Sequence, residues 1–354
     1  MSQVRVTPGT ALATARLQNG CGFHPSGVEL LGGLPKTLSA KVEKEVEMIN
    51  AHAIAQGAVA PIPINKEHFF KNILLATDFS PASEQALEYA ASLARRYGST
   101  IYLTHIISLD GYPLMSPELA SSSLQKMHAD AEQGFRELLK SGRLMALPYQ
   151  AVIQEGNLWP AIEESIKKYE IDLLVVGTHG IGALRKLLLG SGAEEIFRKA
   201  RVPVLTVGPS AGKEPQYELE FKNILFATDF GKSAEREAEY AFSLAQEHHS
   251  RLRLVHVFQH PEAYGEDILA IEKETCRNQL RELVPSATEL HCKVDFEVPV
   301  GEPVEQILRI AEENKADLIV MGAKARTSLA GNVPHTKAYR VVTGAPCPVL
   351  TVRS

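Results

Sequence analysis

The chain has 354 residues, of which 45% are hydrophobic and 22% charged, and its formal net charge is −5. This composition is typical of a globular protein with room for two domains of ordinary size. The negative charge and the lack of a dense lysine or arginine block argue against a nucleic-acid partner. The apolar run at 171–177 is far too short to span a bilayer, so we expect no membrane association.

Residues 1–65 are predicted to form an N-terminal extension. Its first part, 1–34, is rich in glycine, threonine and small residues, which favours partial disorder. Apolar residues at helical spacing predict one helix over 38–55. The extension shows no secretory signal, and the four cysteines of the chain are far apart with no CxxC pair. These features indicate a reducing compartment, so we expect a cytoplasmic protein.

The rest of the chain contains one sequence unit twice. Residues 70–105 match 221–256 without gaps at 19 of 36 positions, and the match includes the triplet Thr-Asp-Phe. The second half of the unit returns 145 positions later, where Gly177 pairs with Gly322. The duplication predicts a first domain over 66–210, a linker over 211–218 and a second domain over 219–354.

Within the first unit, predicted strands alternate with predicted helices. Short apolar runs predict strands, and longer amphipathic patterns predict helices. Ser80 with Pro81 is typical of a helix start, and Gly98 of a helix end. The alternation predicts an α/β protein with two tandem open five-stranded parallel sheets and helices on both faces. The predicted strands are 72–77, 100–107, 149–154, 172–177 and 202–207, and the predicted helices are 81–97, 115–140, 159–169 and 191–199.

The last strand of the unit carries Pro203 near its start, which suits the edge of a sheet. An edge strand as apolar as this one would be exposed if each unit stood alone. We therefore expect the two units to pair within the chain through their last strands as a pseudo-twofold pair. Further association into a homodimer stays open, because this pairing uses the exposed edge.

The first candidate loop follows the first strand of the unit and holds Ala76, Thr77 and Asp78. Ligands of open parallel sheets bind beyond the carboxyl ends of the strands. Asp78 could bind a ribose hydroxyl or a metal ion, or it could serve the turn before the helix, and the pattern leaves both open. His105 and His256 end equivalent strands of the two units. We interpret them as packing residues because the sequence offers neither an acid nor a nucleophile partner.

The second candidate loop follows the fourth strand. It begins with Gly177-Thr178-His179-Gly180, and nine residues later Gly190-Ser191-Gly192 stands at a predicted helix start. Glycines allow backbone amides to approach a phosphate, and a helix N-terminus adds favourable donors. The stretch from Ser191 to Glu194 also forms a capping box, which needs no ligand.

This glycine spacing, the strand at 73–78 and the closing strand at 202–205 together resemble the universal stress protein family. The resemblance covers 69–207 and 219–352. It implies the adenine nucleotide α-hydrolase-like fold and, in members with the full signature, ATP with Mg²⁺ in a cleft. On this resemblance Asp78 and its neighbours would meet the ribose or base, and backbone near Ile106 and Ile107 would line the adenine pocket. The phosphates would be held by Gly177, Gly180, Gly190 and Ser191. The neighbouring Thr178, His179 and Gly192 are also expected in the nucleotide site, where His179 could touch a phosphate.

The second unit departs from the signature. Ala325 stands for Gly180 and His335 for Gly190, and both side chains obstruct a close approach of backbone to phosphate. Asp229 and Gly322 persist, and Lys324 or Lys337 could attract an anion by charge instead. We expect an altered or empty second site with a structural or regulatory role.

The sequence contains no P-loop motif and no catalytic constellation. We expect an ATP-binding stress-response module that is not an enzyme and acts on an unidentified protein partner. The alternatives are a slow Mg-dependent ATPase that uses Asp78 and a scaffold that works without nucleotide.

Overall fold

The computed structural model describes residues 2–6, 70–109, 116–178, 189–208, 219–259, 262, 265–284, 292–323 and 336–353. The two repeats and the strand at 2–6 belong to one compact unit. No helix within the described ranges is long and apolar enough to cross a membrane. The predicted helix over 38–55 and the linker over 211–218 lie outside the described residues.

The first repeat has the predicted alternation of strands and helices, with boundaries that differ by at most two residues. Its strands are β2 (Asn72–Ala76), β3 (Thr100–Ile107), β4 (Tyr149–Glu155), β5 (Leu173–Gly177) and β6 (Val204–Val207). Its helices are α1 (Pro81–Tyr97), α2 (Pro117–Lys140), α3 (Leu158–Lys168) and α4 (Ser191–Lys199). The predicted ends of α1 are confirmed, because Ser80 accepts a hydrogen bond from the Ser83 amide and Gly98 has φ 68°.

The second repeat follows the same plan. Its strands are β7 (Asn223–Ala227), β8 (Arg251–Val255), β9 (Lys293–Glu297), β10 (Leu318–Gly322) and β11 (Val349–Val352). Its helices are α5 (Ala234–Glu247), α6 (Glu266–Glu282), α7 (Pro303–Glu313) and α8 (Lys337–Gly344).

The strands of the described residues join one eleven-stranded sheet in the order β1-β4-β3-β2-β5-β6-β11-β10-β7-β8-β9. The last strands of the two repeats, β6 and β11, pair antiparallel with Leu350 opposite Leu205. The predicted pseudo-twofold pairing is thereby confirmed. It covers the apolar edge that each repeat would otherwise expose. The strand order reverses between β2 and β5 and again between β7 and β10, and such reversals are where ligands bind in open α/β sheets.

One strand was not predicted. Ser2–Val6 forms β1, which pairs antiparallel with β4 and places Ser2 opposite Ile153. These residues fall in the extension that we predicted to be partly disordered. A five-residue strand at a sheet edge depends on backbone hydrogen bonds to a distant neighbour, so its local sequence carries little signal.

The core lies on both faces of the sheet, because successive strand residues point to opposite sides. Leu75 and Ile107 pack with helices α1 and α2 on one face. Leu74 and Val176 pack with α3 and α4 on the other. In the first repeat these helix layers leave the carboxyl ends of the strands at one edge of the sheet, where the predicted site residues lie. Because β6 and β11 are antiparallel, the carboxyl ends of the second-repeat strands lie at the opposite edge.

Candidate functional site

The loop after β2 is a tight turn in which side chains bind the backbone. The Phe79 amide donates to Thr77 Oγ1 at 3.0 Å, and the Ser80 amide donates to Asp78 Oδ1 at 3.1 Å. Phe79 has φ 58°, a conformation that non-glycine residues adopt rarely. The turn role proposed for Asp78 is confirmed. Its side chain is only partly buried, so a ligand role remains a prediction.

His105 stabilises this loop from the neighbouring strand. Its Nδ1 donates to the Thr77 carbonyl at 2.9 Å, and its ring contacts Phe79 at 4.7 Å between centroids. Burial lowers the pKa of His105, which favours the neutral imidazole. His256 repeats the arrangement with the Thr228 carbonyl, also at 2.9 Å. Both histidines thus make the predicted packing contacts, whereas the interpretation that they have no catalytic role stays a prediction.

Gly177 ends β5 and allows helix α1 to pack against the strand. A β-carbon at this position would lie 2.5 Å from the Ala82 carbonyl oxygen and 2.9 Å from the Ser83 amide nitrogen. The first glycine of the predicted phosphate loop therefore has a packing role in the described structure. Contact of Gly177 with a phosphate remains a prediction.

A backbone hydrogen bond joins the two ends of the glycine loop. The Gly190 amide donates to the Thr178 carbonyl at 2.7 Å, and the Thr178 amide donates to the Val207 carbonyl at 2.9 Å. Thr178 is buried. Because of its hydrogen bond with Gly190, the last residue of the loop lies beside the end of β5, from which the loop starts. The predicted residues His179 and Gly180 lie outside the described residues.

Gly190 is the N-cap of helix α4 and, having no side chain, does not cap the helix itself. Ser191 is the first helical residue, so the predicted capping box, which needs Ser191 as the N-cap, is wrong. Gly190 has φ −59°, which any residue can adopt, so its backbone conformation does not require glycine. The amides of the first turn, from Ser191 and Gly192 onward, carry the positive end of the helix dipole toward the loop.

The predicted adenine-side residues face two sides of the sheet. Ala76 and Ile106 are partly buried and pack with Val176 on the face of α3 and α4. Ile107 points to the opposite face and is buried in the core there. Its carbonyl accepts a hydrogen bond from the Gly156 amide at 3.0 Å. Ile106 therefore shares the side of the cleft with Ala76, whereas the Ile107 side chain does not.

The second repeat contains a cavity of about 380 Å³ at the equivalent place. It lies at the carboxyl ends of β7, β8 and β10, the point where the strand order reverses. Its lining includes Ala227, Thr228, Asp229, Val257, Gly322, Ala323, Thr336 and Lys337, which correspond to Ala76, Thr77, Asp78, Ile106, Gly177, Thr178, Ser191 and Gly192. The positions selected in the first repeat thus converge on one cleft in the second.

The corresponding helix N-terminus of the second repeat differs from that of the first. Thr336 is the N-cap of α8, and its hydroxyl accepts from the Tyr339 amide at 3.2 Å. The N-cap residue of α8 thus satisfies one first-turn amide with its side chain, whereas Gly190, the N-cap residue of α4, has no side chain to do so. The predicted alteration of the second site therefore includes a capped helix start.

Each repeat also contributes to the site of the other. The Leu189 amide, next to Gly190, donates to the Tyr339 hydroxyl of α8 at 3.3 Å. Phe197 and Arg198, in the last turn of α4, line the second-repeat cavity. Arg353 is buried there, donates to the Phe197 and Arg198 carbonyls, and has its pKa lowered to about 10 by burial. Sequence reasoning missed these contacts, because no local pattern relates residues of α4 to residues of the other repeat.

The described residues contain no group of three or more histidine, cysteine, aspartate or glutamate side chains that could hold a metal ion.

Comparison with known proteins identifies relatives for both repeats. The sequence profile of the Universal stress protein family matches residues 69–208 and 220–353. A universal stress protein of Mycolicibacterium smegmatis is 27% identical over 79% of this chain and 96% of its own length. One from Thermus aquaticus is 35% identical over 38% of this chain and 99% of its own length.

A solved structure matches most of this chain. The crystal structure of a universal stress protein from Archaeoglobus fulgidus covers 80% of this chain and 98% of its own, with a TM-score of 0.59 and 22% identity. This likeness supports the fold of the two repeats.

Proposed function

Because the chain belongs to the universal stress protein family, we propose that its first repeat binds ATP, with Mg²⁺, and that occupancy regulates a protein partner during stress. On this proposal the protein acts in the cytoplasm as a binding module and not as an enzyme. The proposal is supported most directly by the start of α4, where the N-cap is a glycine that brings no side chain to the first-turn amides.

The geometry of the first repeat fits a phosphate chain. Gly190 lies beside the end of β5 through its hydrogen bond to Thr178, and its φ of −59° does not demand glycine. The absence of a side chain at Gly190 therefore suits a close approach from outside, such as that of phosphate oxygens to the first-turn amides. Ser191 and Gly192 would supply these amides.

The remaining parts of the nucleotide would lie along the strand ends. Ala76 and Ile106 present small and apolar surface on the same face of the sheet, which suits a base. The partly buried Asp78 carboxylate would accept a hydrogen bond from a ribose hydroxyl or share Mg²⁺ with the phosphates. When bound, Mg²⁺ would neutralise phosphate charge.

Calorimetric titration of Mg-ATP into the purified chain tests the proposal. We expect one site per chain. Gly190→His, which copies the second repeat, should abolish it by blocking the first-turn amides. Asp229→Ala, a change in the second repeat at the position equivalent to Asp78, should leave it intact.

Two outcomes would replace the proposal. Release of phosphate from ATP that Asp78→Ala abolishes would indicate an ATPase. No binding at millimolar Mg-ATP would indicate a scaffold that works without nucleotide.

A further inference from the structure

The second-repeat cavity contains a buried acidic residue that the first repeat lacks. Glu237 of α5 lines the cavity and is 4% exposed. Its Oε1 accepts a hydrogen bond from the Ser233 hydroxyl at 2.7 Å. In the gapless alignment of the repeats, Glu237 takes the place of Ala86, and Ser233 that of Ala82. Two alanines of α1 are thus replaced in the second repeat by a serine and a glutamate, and both of these side chains line the cavity.

The Glu237 carboxyl group lies directly on the end of strand β10. A β-carbon built on Gly322 would overlap its Oε1. In the first repeat, by contrast, the backbone of α1 packs on the equivalent Gly177. Helix α5 also begins at Ala234, two residues later than the equivalent start of α1 at Pro81. The Glu237 side chain therefore fills the space between α5 and the end of β10, where both elements line the cavity.

This arrangement opposes a phosphate group. A carboxylate and a phosphate a few ångströms apart repel each other strongly in a site shielded from water. The Thr336 hydroxyl already satisfies an amide at the start of α8. Three basic side chains, Arg198, Lys337 and Arg353, also line the cavity. Two of them are engaged within the protein, since Lys337 donates to the Gln259 side chain at 3.1 Å and Arg353 donates to the Phe197 and Arg198 carbonyls. The second repeat thus places an acidic group beside the cleft, and it already uses one amide of its helix start in a hydrogen bond to Thr336.

The cavity still suits the base and sugar of a nucleoside. Its volume of about 380 Å³ is in the range of small-molecule sites. Val255, Val257 and Met321 line it with apolar surface on which a heterocyclic base can pack. Asp229 keeps the position of Asp78, and carboxylates accept hydrogen bonds from sugar hydroxyls. A 5′-hydroxyl donates a hydrogen bond that a 5′-phosphate ester has lost.

We propose that the second-repeat cavity binds an unphosphorylated nucleoside and rejects its phosphate esters, with Glu237 as the residue that selects between them. The two repeats of one chain would then recognise different phosphorylation states of related molecules.

Hydrogen–deuterium exchange with adenosine, AMP and Mg-ATP as probes tests this proposal, because it assigns protection to each repeat separately. We expect adenosine to protect peptides covering 224–237, 252–259 and 318–323 at concentrations at least about tenfold lower than AMP or Mg-ATP requires. Glu237→Gln keeps the shape of the side chain and removes its charge, and should reduce this preference at least about tenfold. Glu237→Ala, which restores the first-repeat residue, should do the same.

Glu235→Gln is the matched control, because Glu235 is exposed on the same helix and does not line the cavity. It should leave the preference unchanged. Equal protection of the second repeat by AMP and adenosine in the unmodified chain would overturn the proposal, as would no protection by adenosine. A preference that both Glu237 variants retain would also overturn it. Failure of Mg-ATP to protect the first repeat would count against the proposed function alone.

Discussion

The substitutions Gly177→Ala and Gly322→Ala place the same methyl group at equivalent positions of the two repeats. In the first repeat the new β-carbon would meet the Ala82 carbonyl oxygen at 2.5 Å and the Ala82 carbonyl carbon at 2.6 Å. In the second it would meet the carboxyl group of Glu237. Backbone of a packed helix yields only if the helix shifts, whereas the end of a glutamate side chain can rotate.

The expected costs differ for this reason. Gly177→Ala should destabilise the fold by about 3 kcal/mol, at the upper end of the range for overpacking. Gly322→Ala should cost about 1 kcal/mol, roughly the hydrogen bond between Ser233 and Glu237 that the displaced carboxyl group gives up. The entropy that alanine removes from the unfolded chain is the same for both and cancels in the comparison.

Urea denaturation followed by circular dichroism and by the fluorescence of Trp159, the single tryptophan, measures both costs. The double variant Gly322→Ala, Glu237→Ala supplies the control. Once the carboxyl group is gone, the added methyl group should cost nothing relative to Glu237→Ala alone. Equal destabilisation by the two glycine substitutions would refute the reasoning, and so would a cost at Gly322 that persists without Glu237.

Three further predictions concern hydrogen bonds made by buried side chains. Tyr339→Phe removes the acceptor of the Leu189 amide and should weaken Mg-ATP binding in the first repeat about threefold to tenfold by calorimetry, while unchanged affinity would contradict it. His248 accepts from the Phe221 amide through Nδ1, and burial lowers its pKa to about 3, so it is neutral when folded. The unfolded state then binds more protons below about pH 6.5, so stability should fall as the pH drops from there toward 3, and His248→Gln should flatten this part of a urea-midpoint profile. Arg353→Met leaves the Phe197 and Arg198 carbonyls without their donor and should cost about 2–3 kcal/mol in the same assay; an unchanged midpoint would show that these carbonyls find other partners.

The sequence by itself determined the α/β class, the duplication and nearly every strand and helix of the described repeats. These features are local: Ser80 and Pro81 start α1, and Gly98 with φ 68° ends it, because capping and backbone conformation depend on neighbouring residues. The pairing of β6 with β11 could also be predicted, since an exposed apolar edge has few other solutions.

The candidate site was predictable in part. The positions of Asp78, Gly177 and Ser191 followed from strand ends and glycine spacing, and their counterparts in the second repeat line one cavity. Glu237 was visible as a glutamate aligned with Ala86, but its burial was not, because the alignment does not show which face of the helix meets the cleft.

Only the tertiary structure decided which groups meet at the cleft. It placed Gly190 and not Ser191 at the cap of α4, and it brought Tyr339 to the Leu189 amide from the other repeat. It also set Glu237 against Gly322 and added β1 beside β4. The physical reason is the same in each case. Local propensity fixes the conformation of a segment, whereas these contacts join residues far apart in sequence, and their geometry exists only once the sheet has formed and the helices have packed on it.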